Sequence, residues 1–524
     1  MTAAASPPPS VQVKENILLG KECYDIDIAL DNMMGSEFVE KVREYLLSVG
    51  EEAQGVAVIP SNPDQSKHLE TARMRICDIW IDFVNLRCEE YSENSRIPIK
   101  VDVLFSLINE GQMIIEVYFV LQQKFGTAEE DAYRRDLTIN SLFYNINTNS
   151  VEDYTKRGLE DLKSGKIVTP LPPKATFMDD PLRVLRAIRF GARFGFVLDE
   201  DLKEAAACDD VTTALDDKIT RERIGTEIDL MVSGNNHVQA MTYIRDLKLF
   251  PIVFKLPDKF EPALPEEYHG LCIAYLDATW NLIQLVGCSS FSVSGKSTKN
   301  GSSEDEQRRL SLFAAMFLPL RHTTYESKDK KSKKFPVVNY IFRDSLKRKV
   351  SDSETVIKIH NALEKFLSLI PSLAFNEDIQ TAEVEWAGEL VDVPVSSKLR
   401  VLTGFLLREI NDFWRVALLI STLLYKIDST ENLLNKNFQL DELRDIFKAA
   451  ESSIVGLGLE KVWDAKPLVN GKEIMNVLQI KSGGPLVREW QQKLLTWQLA
   501  HPTGTSEECL EWMRQTHSKR VKTE

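Results

Sequence analysis

The sequence lacks the residue patterns of disulfide-linked, zinc-binding and membrane-spanning proteins. Its seven cysteines include no Cys-x-x-Cys pair, and its seven histidines show no metal-ligand spacing. These absences argue against a disulfide framework, a zinc site and a histidine-based hydrolase. No stretch of about 18 apolar residues is free of charge, so no transmembrane helix and no membrane partner are expected.

Acidic residues outnumber basic ones over the whole chain, but basic residues cluster in one segment. The net charge of −14 argues against non-specific coating of nucleic acid. Between Lys328 and Lys349, however, nine lysines and arginines stand against only Asp329 and Asp344. This segment is either a solvated loop that runs into a helix or a patch that contacts RNA phosphates, and both interpretations stay open.

The first ten residues contain no arginine and no apolar segment. They are therefore typical of neither a secretory signal nor a transit peptide. We expect a disordered leader over residues 1–15, and a protein of the cytoplasm or nucleus rather than of an organelle. No stable protein partner is predicted.

The predicted fold class is α+β, with a small mixed sheet followed by an all-helical part. The chain has 524 residues, 43% of them hydrophobic and 27% charged, as in a soluble globular protein of roughly two to four domains. Short alternating apolar runs mix with helical periods over 21–160, and helical periods dominate after about residue 179. Predicted strands span 24–30, 55–59, 76–86 and 101–107. Predicted helices include 181–193, 219–232, 356–370 and 487–499, and 288–305 is a Ser/Gly-rich linker.

Two aspartates on the first predicted strand are the candidate catalytic residues. Alternation along the strand places Asp25 and Asp27 on one face. Paired carboxylates on a buried strand repel unless cations lie between them, and Mg²⁺ accepts oxygen ligands while leaving positions for substrate phosphates. Two such ions can activate an RNA 3′-hydroxyl and stabilise a leaving pyrophosphate. The alternative is a strand end with solvated aspartates. Asp82 is a possible third carboxylate, or else an ordinary surface residue paired with Arg87.

A second motif, over residues 133–140, combines two guanidinium groups with a carboxylate and an amide. Arg134 and Arg135 suit phosphate and sugar oxygens because a guanidinium is planar and always charged. Asp136 can orient one of these arginines or accept a hydrogen bond from a ribose hydroxyl, and Asn140 follows four residues later. A surface cluster of ion pairs is the alternative.

A third motif opens the helix predicted over 181–193. Pro181 at the first helical position makes Asp180 a natural N-cap. Arg183 lies three residues after Asp180 and so shares its face. Such a pair can accept from the exocyclic amine and donate to the ring nitrogen of cytosine or adenine, which favours CTP and ATP over GTP and UTP. Arg186 and Arg189 follow at the same spacing and suit phosphates, or simple surface charge in the case of Arg189.

These motifs closely resemble the CCA-adding tRNA nucleotidyltransferases of the class shared by bacteria and eukaryotes, within the polymerase-β-like superfamily. The resemblance covers 18–98 and 124–510. Within it, residues 343–349, 470–475 and 481–485 resemble the eukaryotic branch. The matching stretches are the Asp25–Asp27 strand, 125–140, 151–162, 178–196, 219–224, 343–349, 470–475 and 481–485.

The resemblance implies a head, neck, body and tail, and template-free addition of C, C and A to tRNA from CTP and ATP with Mg²⁺. The implied domains are a head over 16–175, a neck over 176–270, a body over 271–400 and a tRNA-binding tail over 401–524. Asp25 and Asp27 would hold the metal, and Gly158 would be a hinge between selection of C and of A. The implied nucleotide site comprises Arg134, Arg135, Asp136, Asn140, Asp180, Arg183, Arg186 and Arg189. The implied tRNA contacts are Lys347, Arg348, Lys349 and Lys481.

Two departures from the family pattern shape the expected activity. The printed sequence has no Gly-Gly-x-Val-Arg-Asp loop before the Asp25–Asp27 strand, as if that segment and its strand had been removed. Residues 99–123 form an apolar, β-prone insertion without a family counterpart. Three functions therefore stay open: a working CCA-adding enzyme, a catalytically impaired form, such as a splice variant, that binds tRNA without extending it, and a related poly(A)-adding enzyme.

Overall fold

The computed structural model describes most of the chain. The described residues are 10–12, 20, 26–30, 33–51, 54–59, 71–76, 79–86, 107–109, 112–114, 126–287, 304–326, 333–378, 393–426, 433–434 and 439–523. They divide into two compact units, 1–253 and 254–524.

A seven-stranded mixed sheet organises the first unit. Its strands lie in the order β3-β4-β5-β2-β1-β8-β9, and only the β2–β5 pair is parallel. The elements up to β9 are β1 (Ser10–Gln12), β2 (Ile26–Leu30), α1 (Gly35–Ser48), β3 (Gln54–Ile59), β4 (Thr71–Ile76), β5 (Ile79–Asn85), β6 (Leu107–Asn109), β7 (Gln112–Ile114), α2 (Ala128–Tyr133), β8 (Phe143–Asn145) and β9 (Ser150–Glu152).

Helix α1 covers one face of this sheet. Ala72, Met74 and Phe83 are buried beneath it together with Val39, and the ring centroids of Phe38 and Phe83 lie 5.1 Å apart. Because side chains alternate along a strand, the residues between these apolar ones point to the other face. We call that other face the carboxylate face, because it carries Asp27 and Asp82.

The strand predicted over 76–86 is wrong in its extent. The structure has two antiparallel strands, β4 and β5, in which Ile76 is the partner of Ile79. The buried or partly buried apolar positions are even-numbered in β4 (Ala72, Met74) and odd-numbered in β5 (Ile81, Phe83), so the alternation changes phase between the two strands. The prediction of a single strand did not take this change of phase into account.

The disordered leader predicted over 1–15 is wrong at residues 10–12. Strand β1 pairs antiparallel with β2 on one side and with β8 on the other. Two neighbouring strands present unpaired backbone groups toward this position, and a short strand between them satisfies both edges. Backbone pairing needs no apolar pattern, so composition did not predict it.

The insertion at 99–123 contains a short antiparallel hairpin. Strands β6 and β7 form a two-stranded sheet of their own, in which Leu107 pairs with Ile114. The β-prone character predicted for this block is thus found in its centre. The rest of the insertion, including all of the strand predicted over 101–107 except Leu107, lies outside the described residues.

The remainder of the first unit is helical apart from one small parallel pair, β10–β11. Its elements are α3 (Gly158–Ser164), β10 (Lys166–Ile167), α4 (Pro173–Asp179), α5 (Leu182–Phe194), β11 (Val197–Leu198), α6 (Glu200–Ala206), α7 (Asp209–Lys218), α8 (Arg221–Ser233), α9 (His237–Asp246) and α10 (Phe250–Val253).

The described residues of the second unit are also mainly helical. Among them the hairpin β12–β13 lies inside the region predicted to be almost entirely helical. Residues 304–305, predicted to end the linker, instead begin α12; residues 288–303 lie outside the described residues. Within the described part of the chain, no helix is long and apolar enough to cross a membrane. The elements are α11 (Tyr268–Val286), α12 (Glu304–Met316), β12 (Thr324–Glu326), β13 (Lys334–Pro336), α13 (Val337–Tyr340), α14 (Val350–Phe375), α15 (Val395–Ile410), α16 (Trp414–Lys426), α17 (Leu440–Gly456), α18 (Gly471–Leu478), α19 (Pro485–Ala500) and α20 (Ser506–Thr523).

The α+β fold class predicted from the sequence is confirmed. A mixed sheet with one covering helix opens the chain, and helices follow it through both units.

Candidate active site

Asp27 and Asp82 lie side by side on the carboxylate face. They are register partners on β2 and β5, the parallel pair at the centre of the sheet. Neighbouring strands are about 4.8 Å apart, so the two carboxylates share one small region. Asp25, the other predicted metal ligand, lies outside the described residues.

The partner of Asp82 is Arg73, on the neighbouring strand β4. Arg73 Nε lies 2.5 Å from Asp82 Oδ1, and Nη2 lies 3.3 Å from Oδ2. The two residues are register partners, so they meet on the carboxylate face. Arg87, the partner considered from the sequence, lies outside the described residues.

The carboxylate pair has the chemistry of a magnesium site. Asp27 and Asp82 both offer oxygen ligands, and Mg²⁺ is bound in such sites through one or two carboxylates together with substrate phosphates. The described residues contain no cluster of three His, Cys, Asp or Glu that could hold a metal.

Asp131, in α2, holds both arginines of the second motif. Arg134 donates from Nε to its Oδ1 at 2.8 Å, and Arg135 donates from Nε to its Oδ2, also at 2.8 Å. The Asp131 side chain is fully buried, whereas those of Arg134 and Arg135 are 22% and 15% exposed. Burial raises the pKa of Asp131, but the two guanidinium charges outweigh it and hold the pKa below its usual value. The predicted nucleotide-binding arginines are therefore pre-positioned by one buried carboxylate.

Asp136 joins this motif to helix α5. Its carboxylate accepts from Arg186 Nε at 2.6 Å and from Asn140 Nδ2 at 3.1 Å. Burial by itself raises the pKa of Asp136, but the charge of Arg186 and these hydrogen bonds lower the pKa to about 2. Asp136 thus orients an arginine, which is one of the two roles considered for it from the sequence. The arginine is Arg186 on α5 and not Arg134 or Arg135 of the same motif.

We predict that the contribution of Asp136 to stability depends on pH. Because its pKa is lower in the folded chain than its ordinary value of 3.8, the contribution is complete above about pH 4 and is lost as the pH falls toward about 2. Urea unfolding of the wild type and of Asp136→Asn, at pH 6 and at pH 3, measures it. The difference in free energy of unfolding between wild type and Asp136→Asn should be smaller at pH 3 than at pH 6. An equal difference at both pH values would contradict the lowered pKa of Asp136.

Asp180 and Arg183 lie at the start of α5 and have separate partners. Helix α5 begins at Leu182, one residue later than predicted, and Asp180 Oδ1 accepts from the Leu182 N–H at 3.2 Å, as a cap does. Asp180 Oδ2 lies 3.0 Å from Arg223 Nη2 on α8. Arg183 is buried and donates to the carbonyl oxygens of Thr176 at 3.3 Å and Arg134 at 2.7 Å. Arg183 therefore links α5 to the backbone of the second motif.

Arg189 pairs with an acidic residue on a neighbouring helix, and its predicted nucleotide-binding role stays a prediction. Its Nε lies 2.6 Å from Glu227 Oε2 on α8, and the two side chains are 13% and 8% exposed. Its guanidinium carbon lies 4.3 Å from the ring centroid of Phe190. The interpretation as simple surface charge is wrong, because Arg189 forms a buried ion pair where α5 packs on α8.

Gly158 begins α3 at a close contact. A Cβ built on Gly158 would lie 2.6 Å from the Thr138 carbonyl oxygen and 2.9 Å from Leu142 Cδ2. Its N–H donates to Thr155 Oγ1 at 3.2 Å. Close packing alone therefore requires glycine here, and the hinge role stays a prediction.

We predict that Gly158→Ala destabilises the protein by about 1–3 kcal/mol, because the new methyl group has no room beside a backbone carbonyl. Chemical unfolding measures this. Gly456→Ala is the matched control, since nothing lies within 4 Å of a Cβ built there. A Gly158→Ala protein of unchanged stability that adds C but no longer A would instead favour the hinge.

The predicted tRNA contacts lie in the second unit. Lys347 and Lys349 are exposed and Arg348 is half-buried, in the turn between Ser345 and α14. Lys481 is exposed in the segment before α19, which has Pro485 in its first turn. These positions are accessible to RNA, and their role stays a prediction.

Four residues of this network were not singled out from the sequence: Arg73, Asp131, Arg223 and Glu227. Asp131 had a usable signal, since it lies three and four residues before Arg134 and Arg135 on one helical face. The other three meet partners on different elements, and no local pattern indicates such pairs.

The chain is similar to known proteins both in its head and over nearly its full length. Residues 14–168 match the model of the poly(A) polymerase head domain. The mitochondrial CCA tRNA nucleotidyltransferase of Saccharomyces cerevisiae is 31% identical, covering 96% of this chain and 86% of that protein. The tRNA nucleotidyltransferase cca2 of Schizosaccharomyces pombe is also 31% identical, covering 95% and 90%.

A solved structure shares the fold. The CCA-adding enzyme of Bacillus stearothermophilus, in complex with CTP, aligns with a TM-score of 0.56 at 16% identity, covering 98% of this chain and 94% of that one. Identity across nearly the full length of both yeast proteins, rather than in the head alone, decides the family. The chain belongs to the CCA tRNA nucleotidyltransferase family.

Proposed function

We propose that this protein adds C, C and A to the 3′ ends of tRNAs without a template, using CTP and ATP. The observation that carries the proposal is the register pairing of Asp27 with Asp82, beside a buried network that connects the Arg134–Asp136 motif to α5. The two yeast relatives are named CCA tRNA nucleotidyltransferase and tRNA nucleotidyltransferase cca2, and the bacterial structure contains CTP.

Asp25, Asp27 and Asp82 would hold Mg²⁺ on the carboxylate face. When bound, the metal supplies positive charge that stabilises the leaving pyrophosphate and favours ionisation of the attacking hydroxyl. Arg73 holds the Asp82 carboxylate in place through two hydrogen bonds, and Asp27 lies in register beside it. The carboxylates would thus define where the RNA 3′-hydroxyl and the α-phosphate meet.

Arg134 and Arg135 would bind the ribose and phosphates of the nucleotide. Both are held by Asp131, so little conformational entropy is lost when they bind an anion. Arg186 and Asn140 would support the same region through Asp136.

Asp180 and Arg183 would recognise the base. Arg183 donates to two carbonyl groups, and because a guanidinium group has five N–H donors, others remain for a ring nitrogen. Arg223 Nη2 lies 3.0 Å from Asp180 Oδ2 and so orients the carboxylate, which would accept a hydrogen bond from an exocyclic amine.

We predict that Arg183→Ala changes the ratio of kcat/KM for CTP and ATP by about tenfold, since one well-placed base contact contributes about 1–3 kcal/mol of discrimination. Arg193→Ala, at an exposed position on the same helix, is the control. Single-nucleotide addition to tRNA ending before C and before A measures the ratio. An unchanged ratio would remove Arg183 from base recognition.

The proposed function is tested by extending purified tRNA that lacks its 3′ CCA, with Mg²⁺ and with CTP and ATP supplied separately and together. Ordered addition of C, C and A supports the proposal. Binding of tRNA without products would favour a non-catalytic form, and long A tails would favour a poly(A)-adding enzyme.

We also propose a cytoplasmic or nuclear location. The Saccharomyces cerevisiae relative is mitochondrial by name, so cell fractionation is the appropriate test. Recovery of the protein mainly in mitochondria would overturn this proposal.

A further inference from the structure

The carboxylate face continues beyond Asp82 into an aromatic and basic surface that the roles above do not use. Trp80 lies two residues before Asp82 on β5, so both side chains are on this face. Arg75 is the register partner of Trp80, as Arg73 is of Asp82. The Trp80 side chain is 39% exposed, and Arg75 is also exposed. A large aromatic ring is therefore accessible immediately beside the catalytic carboxylates.

This ring is supported by the sheet rather than projecting freely. A Cβ built on Gly55 of β3 would lie 3.2 Å from Trp80 Cη2, so the indole crosses β4 and rests against the backbone of β3. A side chain at Gly55 would take the space of the ring. The Arg73 guanidinium carbon lies 5.7 Å from the ring centroid, while its nitrogens bind Asp82. One cation thus fixes both the ring and the carboxylate.

We propose that Trp80 is a stacking site for the base at the 3′ end of the RNA, an inference that rests on the proposed function. Nucleotidyl transfer requires the RNA 3′-hydroxyl to reach Asp27 and Asp82, so the last nucleoside of the RNA must lie on the carboxylate face. The incoming nucleotide is assigned to Arg134, Arg135 and the start of α5, which leaves the Trp80 side of the carboxylates to the RNA.

The chemistry of this surface suits a single-stranded RNA end. Bases stack on exposed aromatic side chains, and neighbouring guanidinium groups neutralise the backbone phosphates. Stacking tolerates any base because every base has a π-face. That tolerance is what an enzyme needs when the terminal base of its substrate changes with each addition.

Steady-state kinetics of Trp80→Ala and Trp80→Phe test the proposal first. Trp80→Ala should raise the KM for tRNA lacking CCA about tenfold and leave the KM for CTP within about twofold. Trp80→Phe keeps a ring and should retain most of the affinity. Tyr45→Ala is the control, because Tyr45 is an aromatic residue of α1 that is 66% exposed and α1 covers the opposite face of the sheet.

A double-mutant cycle completes the test. It compares the binding of wild type and Trp80→Ala to intact RNA and to an RNA that lacks only its 3′-terminal base. If Trp80 stacks on that base, removing the base should weaken wild-type binding about as much as Trp80→Ala does, and the variant should be indifferent to the base. Losses that multiply, or unchanged RNA binding by the variant, would overturn the proposal.

Equilibrium binding reads this cycle without catalysis. If the wild-type protein adds no nucleotide, the proposed function is overturned. The binding measurements of the double-mutant cycle would still decide whether Trp80 stacks on the RNA base. If Trp80→Ala does not fold, as judged by circular dichroism, Trp80→Leu keeps apolar volume without a ring and enters the same cycle.

Discussion

Replacing Asp27 by alanine is expected to lower nucleotide addition roughly 10³-fold or more. Asp27 is the described carboxylate that lies in register with Asp82, and loss of a metal ligand removes several kcal/mol of transition-state stabilisation. Single-turnover addition of C to tRNA lacking CCA, over a range of Mg²⁺ concentrations, measures the effect. Asp25→Ala should give the same loss.

Two further variants separate chemistry from folding. Asp27→Asn keeps the shape of the side chain and should be nearly as impaired, because its amide is a poor magnesium ligand. Asp217→Asn, at an exposed position on α7, should be fully active. Metal-dependent addition by Asp27→Ala within tenfold of the wild type would reject the carboxylate assignment.

Replacing Asp131 by alanine is expected to lower the free energy of unfolding by about 3–5 kcal/mol, because it leaves two mostly buried arginines without their shared counter-charge. Urea unfolding at neutral pH measures the loss. Asp210→Ala, which breaks the exposed pair of Asp210 with Lys174, should leave stability nearly unchanged.

Asp131 also predicts a kinetic effect that stability alone does not explain. Asp131→Asn retains an acceptor but loses the charge that orients Arg134 and Arg135, so the KM for CTP should rise more than the KM for tRNA. Equal changes in both KM values would show that Asp131 serves the fold and not the nucleotide site.

Where the structure differs from the roles predicted for the site residues, the difference is in which residue each side chain binds. The carboxylate predicted beside the two arginines of the motif, Asp136, binds Arg186, while those arginines bind Asp131. Helical spacing placed Asp131 within reach of both arginines, but its burial was not evident from the sequence. Because the Asp131 carboxylate is buried, we expect its removal to lower the free energy of unfolding strongly.

The sequence by itself determined the fold class, the family and the residue types of the site. Local physics accounts for this: strand alternation and helical periodicity act over a few residues, and Asp180 caps α5 through its immediate neighbours. Helix α5 accordingly lies within one residue of its predicted bounds at each end. The alternating pattern around Asp27 likewise corresponds to β2.

Only the tertiary structure decided how these residues are paired. Asp82 lies beside Asp27 because β2 and β5 are parallel neighbours, Asp180 meets Arg223 because α8 packs near the start of α5, and β1 enters the sheet through backbone bonds alone. The side-chain contacts join residues far apart in sequence. The pairing of β1 uses backbone N–H and C=O groups, which nearly every residue has, so no residue pattern indicates it. Their energy depends on packing and burial, which no local pattern encodes.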